Sequence, residues 1–115
     1  TGQPKGVMIE HQSLVNICFW YQEYYQVSHE SRATLFAGVG FDASVWEVFP
    51  HLTAGACLYP IANGELRYDT RKLKDFLAAH AITCSFLPTQ VCQNFAEQNF
   101  QLPGLKIQTG GDALK

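Results

Sequence analysis

The chain has 115 residues, of which 47% are hydrophobic and 16% are charged, and its formal net charge is -2. That length suits one modest domain with a real core and is too short for two, while the apolar content argues against a disordered chain. Acidic and basic residues are mixed, with no Lys/Arg cluster able to neutralise a run of phosphates, so we expect no nucleic-acid partner.

The first predicted elements are a short strand and a long helix. Residues 7–10 predict the strand, and Ser13 can cap a helix that runs to about Gln26. Within that helix, four apolar residues recur at spacings of four, three and four, so they should form one buried stripe. These residues are Leu14, Cys18, Tyr21 and Tyr25.

The middle of the chain predicts a second and a third strand on either side of a helix. An apolar run over 33–39 predicts one strand, and residues 56–59 predict the other. The helix between them is predicted over 43–53, just before Gly55. Asn63-Gly64 then marks a turn.

The last third of the chain continues the alternation. Its predicted helix starts at Asp69 or Thr70, ends near His80, and carries Leu73, Phe76 and Leu77 on one face. The elements that follow are a strand over 82–87, a helix opened by Pro88-Thr89 and a strand over 105–109.

Strand and helix therefore alternate about four times, which predicts an α/β fold. The strands are short, apolar and without polar alternation, a pattern typical of strands covered on both faces. We thus expect a mostly parallel sheet with helices packed on it. Ligands of such sheets bind outside the carboxyl ends of the strands. Segments 40–42, 88–89 and 110–112 follow predicted strands and become the candidate binding segments.

The string Phe41-Asp42-Ala43-Ser44-Val45-Trp46-Glu47 has two interpretations. In a purely structural one, Asp42 caps a helix, and Phe41 and Trp46 form a hydrophobic staple. In a functional one, Trp46 lies four residues after Asp42 and three after Ala43, so all three side chains can face one pocket. There the carboxylate would bind a ligand ammonium, Trp46 would form a wall, and Ala43 would leave room.

Three further segments carry weaker signals. Thr1-Gly2-Gln3-Pro4-Lys5-Gly6 combines glycines with a lysine, as anion-binding loops do, but lacks the P-loop pattern and also fits a surface turn. Ser85 stands three residues before Pro88, and Gln108-Thr109-Gly110-Gly111-Asp112 ends a predicted strand in ordinary turn chemistry.

Taken together and in this order, the four segments resemble the adenylation domains of nonribosomal peptide synthetases, in the adenylate-forming (AMP-binding) superfamily. The resemblance spans about Thr1 to Leu114. It implies that residues 1–115 are a partial adenylation domain, truncated at both ends, within the large N-terminal subdomain of that fold. The implied reaction joins an amino acid to ATP as an aminoacyl-adenylate, before transfer to the phosphopantetheine thiol of a neighbouring carrier domain.

The resemblance also assigns residues to two binding sites, with no catalytic residue and no metal ligand in this stretch. The residues implied for ATP are Lys5, Gly6, Gly110, Gly111 and Asp112, the last in place of the commoner Glu. Those implied for the amino acid are Asp42 at the α-amino group and, around the side chain, Ala43, Trp46, Ser85, Gln108 and Gly110. Since Asp42 is the sole charge in this set, a neutral substrate is expected, with Leu, Phe and Gln all open.

The implied cofactors are ATP, Mg²⁺ and phosphopantetheine, and the implied partners are carrier and condensation domains. Four cysteines without a C-x-x-C pair, and no apolar run of membrane-spanning length, favour a cytoplasmic protein. The front of the phosphate loop and the later ATP-binding motifs are absent, so we expect the isolated chain to be inactive. Two alternatives stay open: another adenylate-forming ligase of the acyl-CoA synthetase type, and a non-enzymatic α/β binding module.

Overall fold

The computed structural model describes residues 2–62 and 64–111. Within these residues the chain forms five helices and four strands. In chain order they are α1 His11–Tyr25, β1 Arg32–Leu35, α2 Ala43–Thr53, β2 Cys57–Pro60, α3 Gly64–Tyr68, α4 Thr70–Ala79, β3 Cys84–Pro88, α5 Thr89–Glu97 and β4 Lys106–Gly110.

The four strands form one sheet in the order β2-β1-β3-β4, and all three neighbouring pairs are parallel. The predicted α/β fold with a parallel sheet is thereby confirmed. Because every strand runs the same way, the carboxyl ends of the strands lie along one edge of the sheet. In the register of the outer pair, Pro88 of β3 stands beside Gly110 of β4 at that edge.

Helices cover both faces of this sheet. On one face Leu73 and Leu77 of α4 and Phe95 of α5 pack with Leu87 of β3 in the larger buried cluster. On the other face Tyr21 of α1 packs on strand residues Ala33 and Cys84. The stripes predicted for α1 and α4 therefore point inward as expected. Asp69 caps α4, accepting hydrogen bonds from the N–H groups of Arg71 and Lys72 at 3.1 Å each.

The strand predicted over residues 7–10 is wrong. These residues form no strand, and Met8 has 98% of its surface exposed. An apolar run becomes a strand only where a neighbour completes its hydrogen-bond ladder, and none lies beside this segment in the described chain. The proposed cap is also wrong, because α1 starts at His11 after an extended Glu10, and Ser13 lies within the first turn.

Two other local predictions needed correction. Strand β1 ends at Leu35 rather than at Val39. After β2, the short helix α3 starts at Gly64, where the sequence predicted a turn. Asn63, part of that turn, lies outside the described residues. His51 of α2 is buried, and its Nδ1 lies 2.7 Å from the carbonyl oxygen of Glu47.

Two of the four free cysteines, Cys18 and Cys84, are buried, whereas Cys57 on the outer strand β2 is exposed. In the part of the chain that the structure covers, no helix combines the length and apolar character needed to cross a bilayer.

Candidate functional site

A cavity of about 370 Å³ lies at the carboxyl edge of the sheet, where parallel sheets bind ligands. We call it the edge cavity. Its walls come from the connection between β1 and α2, from the start of α2, and from the ends of β3 and β4. The lining residues are Phe36, Ala37, Gly38, Phe41, Asp42, Ala43, Trp46, Arg67, Phe86, Pro88, Thr109, Gly110 and Gly111.

Five residues singled out from the sequence line this one cavity. They are Asp42, Ala43, Trp46, Gly110 and Gly111. The first three belong to the start of α2 and the last two to the end of β4, and the parallel sheet brings these distant segments to the same edge. The convergence supplies the geometry that a shared binding site requires, while the role of each residue stays a prediction.

The carboxylate of Asp42 is not used by the helix that follows it. Asp42 precedes α2 with a helical backbone, φ -62° and ψ -27°, and its side chain makes no capping hydrogen bond. The expected helix cap is therefore wrong, because a capping residue needs an extended backbone to turn its side chain towards the first N–H groups. The Asp42 carboxylate is exposed at the edge cavity and does not cap α2, so capping does not compete with ligand binding at this side chain.

Trp46 separates the edge cavity from a second one. This side cavity, about 210 Å³, is lined by Trp46 and Thr109 together with Trp20, Tyr21, Tyr25, Ile107 and Gln108. Gln108 therefore adjoins the edge cavity across Trp46 but does not line it. Its Nε2 donates to the Tyr21 hydroxyl and lies 3.4 Å from Cys84 Sγ, so buried partners on α1 and β3 fix the amide.

Ser85 lies apart from both cavities. Its side chain is 1% exposed, and its hydroxyl shares a hydrogen bond of 2.6 Å with that of Thr34 on β1. Successive strand residues point to opposite faces, so Ser85 lies on the face of Leu87, opposite Cys84 and the α1 helix. The sequence offset from Pro88 placed Ser85 along the strand. Its contact with Thr34 follows from the position of β1 beside β3 in the sheet.

The predicted phosphate-binding residues are not assembled here. Lys5 and Gly6 lie in the exposed segment before α1 and line neither cavity. Asp112 lies outside the described residues. Among the described residues assigned to ATP, Gly110 and Gly111 line the edge cavity, and Lys5 and Gly6 do not.

Glu47 is a buried acid beside the edge cavity, one turn along α2 from Ala43. It is 2% exposed; its Oε2 accepts from the Phe36 N–H at 2.7 Å and its Oε1 from the Ala37 N–H at 2.8 Å. Burial raises the pKa of Glu47 from an ordinary 4.5 to about 7, against the opposing effect of both N–H groups and of Arg67. Glu47 had no predicted role, although an acidic residue among the apolar residues of α2 is a signal that the sequence contains.

Arg67 of α3 brings a second charge to the edge cavity. Its Nε donates to the carbonyl oxygen of Ile61 at 3.1 Å and its Nη2 to that of Phe36 at 2.6 Å. The guanidinium also lies 4.8 Å from the centre of the Phe36 ring. The expectation that Asp42 is the sole charge is therefore wrong for this cavity, since sequence periodicity gave no reason to expect α3.

The pH dependence of unfolding should report the buried state of Glu47. An acid whose pKa is raised by folding binds its proton more tightly in the native state. Its contribution to stability is full below about pH 4.5 and is lost as the pH rises through about 7. We therefore expect the Glu47→Gln variant to show a flatter decline of unfolding free energy over this range than the natural protein, measured by urea titrations at several pH values. Parallel pH curves for the two proteins would contradict the raised pKa.

Comparison with known proteins gives a consistent result along the whole chain. A family model described as AMP-binding enzyme matches residues 1–115. Bacitracin synthase 1 of Bacillus licheniformis is 50% identical over 115 residues, covering 99% of this chain and 2% of that protein. Surfactin synthase subunit 1 of Bacillus subtilis (strain 168) is 47% identical over 116 residues, covering 100% of this chain and 3% of that protein.

A solved structure has the same fold. It is a four-domain nonribosomal peptide synthetase bound to AMP and glycine, and it superposes with a TM-score of 0.84 at 27% identity. The match covers 99% of this chain and 9% of that one. This chain thus spans only a small part of the length of the proteins it matches.

Proposed function

The chain belongs to the family of AMP-binding enzymes, and on that premise we propose that it is part of an amino-acid-activating domain of a nonribosomal peptide synthetase. We call the complete domain the parent domain, because the curated relatives are far longer than the chain. In the proposed reaction, the amino-acid carboxylate attacks the α-phosphorus of ATP, the bond to the bridging oxygen breaks, and pyrophosphate leaves. Aminoacyl-adenylate remains.

The observation that carries this proposal is the exposed, uncapped carboxylate of Asp42 at the edge cavity. A substrate α-ammonium placed there would donate a charge-assisted hydrogen bond to the Asp42 carboxylate, which is stronger than a hydrogen bond between neutral groups. Ala43 adds little bulk beside it, and Trp46 supplies an apolar wall. Support also comes from the related synthetase structure, which holds AMP together with an amino acid, glycine.

The substrate side chain is proposed to lie against Trp46, towards the side cavity and Gln108. Arg67 adds one positive charge to a lining that also holds the Asp42 carboxylate, and its guanidinium is already hydrogen-bonded to two backbone carbonyl oxygens. We therefore keep a neutral amino acid as the proposed substrate. The assignment of Ser85 to the substrate side-chain pocket stays a prediction that the described geometry does not support.

Gly110 and Gly111 are proposed to face the nucleotide. Gly111 has a φ of +105°, which favours glycine, and no atom of the described residues lies within 4 Å of the position that a Cβ would take there. A flat base could pack on such a backbone. Lys5 and Gly6 are proposed to meet the phosphates.

No three His, Cys, Asp or Glu side chains converge as a metal site in residues 2–62 and 64–111, so Mg²⁺ is proposed to be carried by the ATP phosphates. There it would neutralise charge on the leaving pyrophosphate.

Downstream partners are proposed from the relatives. The related solved structure is that of a four-domain nonribosomal peptide synthetase. The parent domain would pass its aminoacyl group to the phosphopantetheine thiol of a carrier domain, for use by a condensation domain. The free cysteines are compatible with a cytoplasmic synthetase.

The test is amino-acid-dependent exchange of pyrophosphate into ATP by the parent domain. We expect exchange with neutral amino acids and none with fatty or aryl acids that lack an amine, and no exchange by the isolated 115 residues. Exchange driven by acids without an amine would instead identify an acyl-CoA synthetase type of ligase. If ATP plus amino acids neither supported exchange nor shifted the melting temperature, the chain would be a non-enzymatic module.

A further inference from the structure

We propose that Glu47 is a positioning residue for the amino-acid site. Its carboxylate fixes the end of β1 to helix α2, and this attachment sets where Asp42 stands at the edge cavity. The inference rests on the proposed function, because it concerns the same site, but the contacts that support it are independent of any assigned role.

The carboxylate replaces a strand partner that the end of β1 lacks. Strand β1 ends at Leu35, and the next two N–H groups, of Phe36 and Ala37, donate to the two oxygens of Glu47 at 2.7 and 2.8 Å. Glu47 is 2% exposed, and both of its carboxylate oxygens accept hydrogen bonds from consecutive backbone N–H groups. Removing the carboxylate would leave two backbone donors without their acceptor, which is costly in a buried setting.

The same peptide unit is held from its other side by Arg67. The carbonyl oxygen of Phe36 accepts from Arg67 Nη2 at 2.6 Å, and the guanidinium lies over the Phe36 ring. Residue 36 is therefore held by a carboxylate at its N–H and by a guanidinium at its carbonyl. Charge-assisted hydrogen bonds of this kind are shorter and stronger than those between neutral groups.

The two hydrogen bonds from Phe36 and Ala37 to Glu47 make residues 36–47 a closed loop, and this loop contains the proposed substrate contacts. Phe36 and Ala37 at one end, and Asp42 and Ala43 at the other, all line the edge cavity, and Glu47 ties the two ends together. Within the described chain, residues 38–42 span the gap with local hydrogen bonds only, from the Phe41 N–H to the Gly38 carbonyl oxygen and from Ser44 to the Phe41 carbonyl oxygen, and Asp42 adds no capping bond. The position of the Asp42 carboxylate hence depends on the attachment, and a shift of about 1 Å in a binding group can cost roughly 10²-fold in rate.

The variants that test this inference are Glu47→Gln, which keeps the shape and one acceptor oxygen, and Glu47→Asp, which keeps the charge but is one methylene shorter. In the parent domain we expect Glu47→Gln to raise the KM for the amino acid by about tenfold, with the KM for ATP changed by less than about twofold. Glu47→Asp should show the same split between the two KM values, since the shorter side chain cannot reach both N–H groups.

Two controls separate positioning from general damage. Glu97→Gln makes the same chemical change at an exposed residue at the end of α5 and should leave both KM values unaltered. Leu77→Ala opens the buried core under the other face of the sheet, and it should lower the melting temperature without raising the KM for the amino acid selectively.

The inference is overturned if folded Glu47→Gln matches Glu97→Gln in its KM values, or if both substrates lose affinity equally. If neither Glu47 variant folds while Leu77→Ala does, Glu47 is a structural residue, and the inference is also overturned. A natural parent domain that shows no amino-acid-dependent exchange would instead remove the proposed function on which the inference rests.

Discussion

Replacing Asp42 by Ala in the parent domain should lower amino-acid-dependent ATP–pyrophosphate exchange by about two orders of magnitude. In the proposed site, an amino acid that fills the edge cavity would lose water from its ammonium and would need the Asp42 carboxylate as its partner. Removing one member of a desolvated charge pair costs about 2–5 kcal/mol, and each 1.36 kcal/mol corresponds to a tenfold change in rate. The measurement is kcat/KM for the amino acid in the exchange assay.

Two further variants make the Asp42 result specific. Asp42→Asn keeps the shape but loses the charge, so it should lose most of the same activity. Asp75→Ala removes a carboxylate from an exposed position on α4 and should leave exchange unchanged. The melting temperature should change little on replacing Asp42, because its side chain does not cap α2. Exchange at the natural level in Asp42→Ala would exclude this carboxylate as the amine-binding group.

The second large effect is expected in the core. Leu87 of β3 is 0% exposed and packs in the cluster that contains Leu73, Leu77 and Phe95. Replacing it by Ala removes buried apolar atoms and leaves a cavity that close-packed neighbours fill poorly, so Leu87→Ala should lower the free energy of unfolding by about 2–5 kcal/mol. Urea denaturation of the parent domain measures this loss.

Val39→Ala is the matched control for Leu87→Ala. Val39 is 89% exposed, so its truncation should change the unfolding free energy by less than about 0.5 kcal/mol. Leu87 also stands opposite Thr109, one residue before the Pro88–Gly110 pair at the edge cavity. A loss for Leu87→Ala as small as that for Val39→Ala would mean that this cluster is not the core of the fold.

Local sequence signals were sufficient for most of the architecture. The predicted bounds of α2 match the structure, and α4 starts at Thr70, one of its two predicted starts. These features depend on periodicity, caps and breakers, all of which act within a few residues. The strand over 7–10 failed because a strand depends on a partner elsewhere in the chain, and no window of sequence shows whether that partner exists.

The binding site divides in the same way. Residue chemistry and the family resemblance predicted which residues could bind an amino acid, and the alternation of strands and helices predicted a ligand site beyond the strand ends. Only the tertiary structure decided that Asp42 and Gly110 share a cavity, that Ser85 faces Thr34 instead, and that Asp42 leaves its helix uncapped. It alone also brought Glu47 and Arg67 to the peptide of Phe36. These pairs lie from 11 positions apart, for Phe36 and Glu47, to 68 apart, for Asp42 and Gly110. They meet through the packing of whole elements, and that packing is set by the core rather than by any one segment.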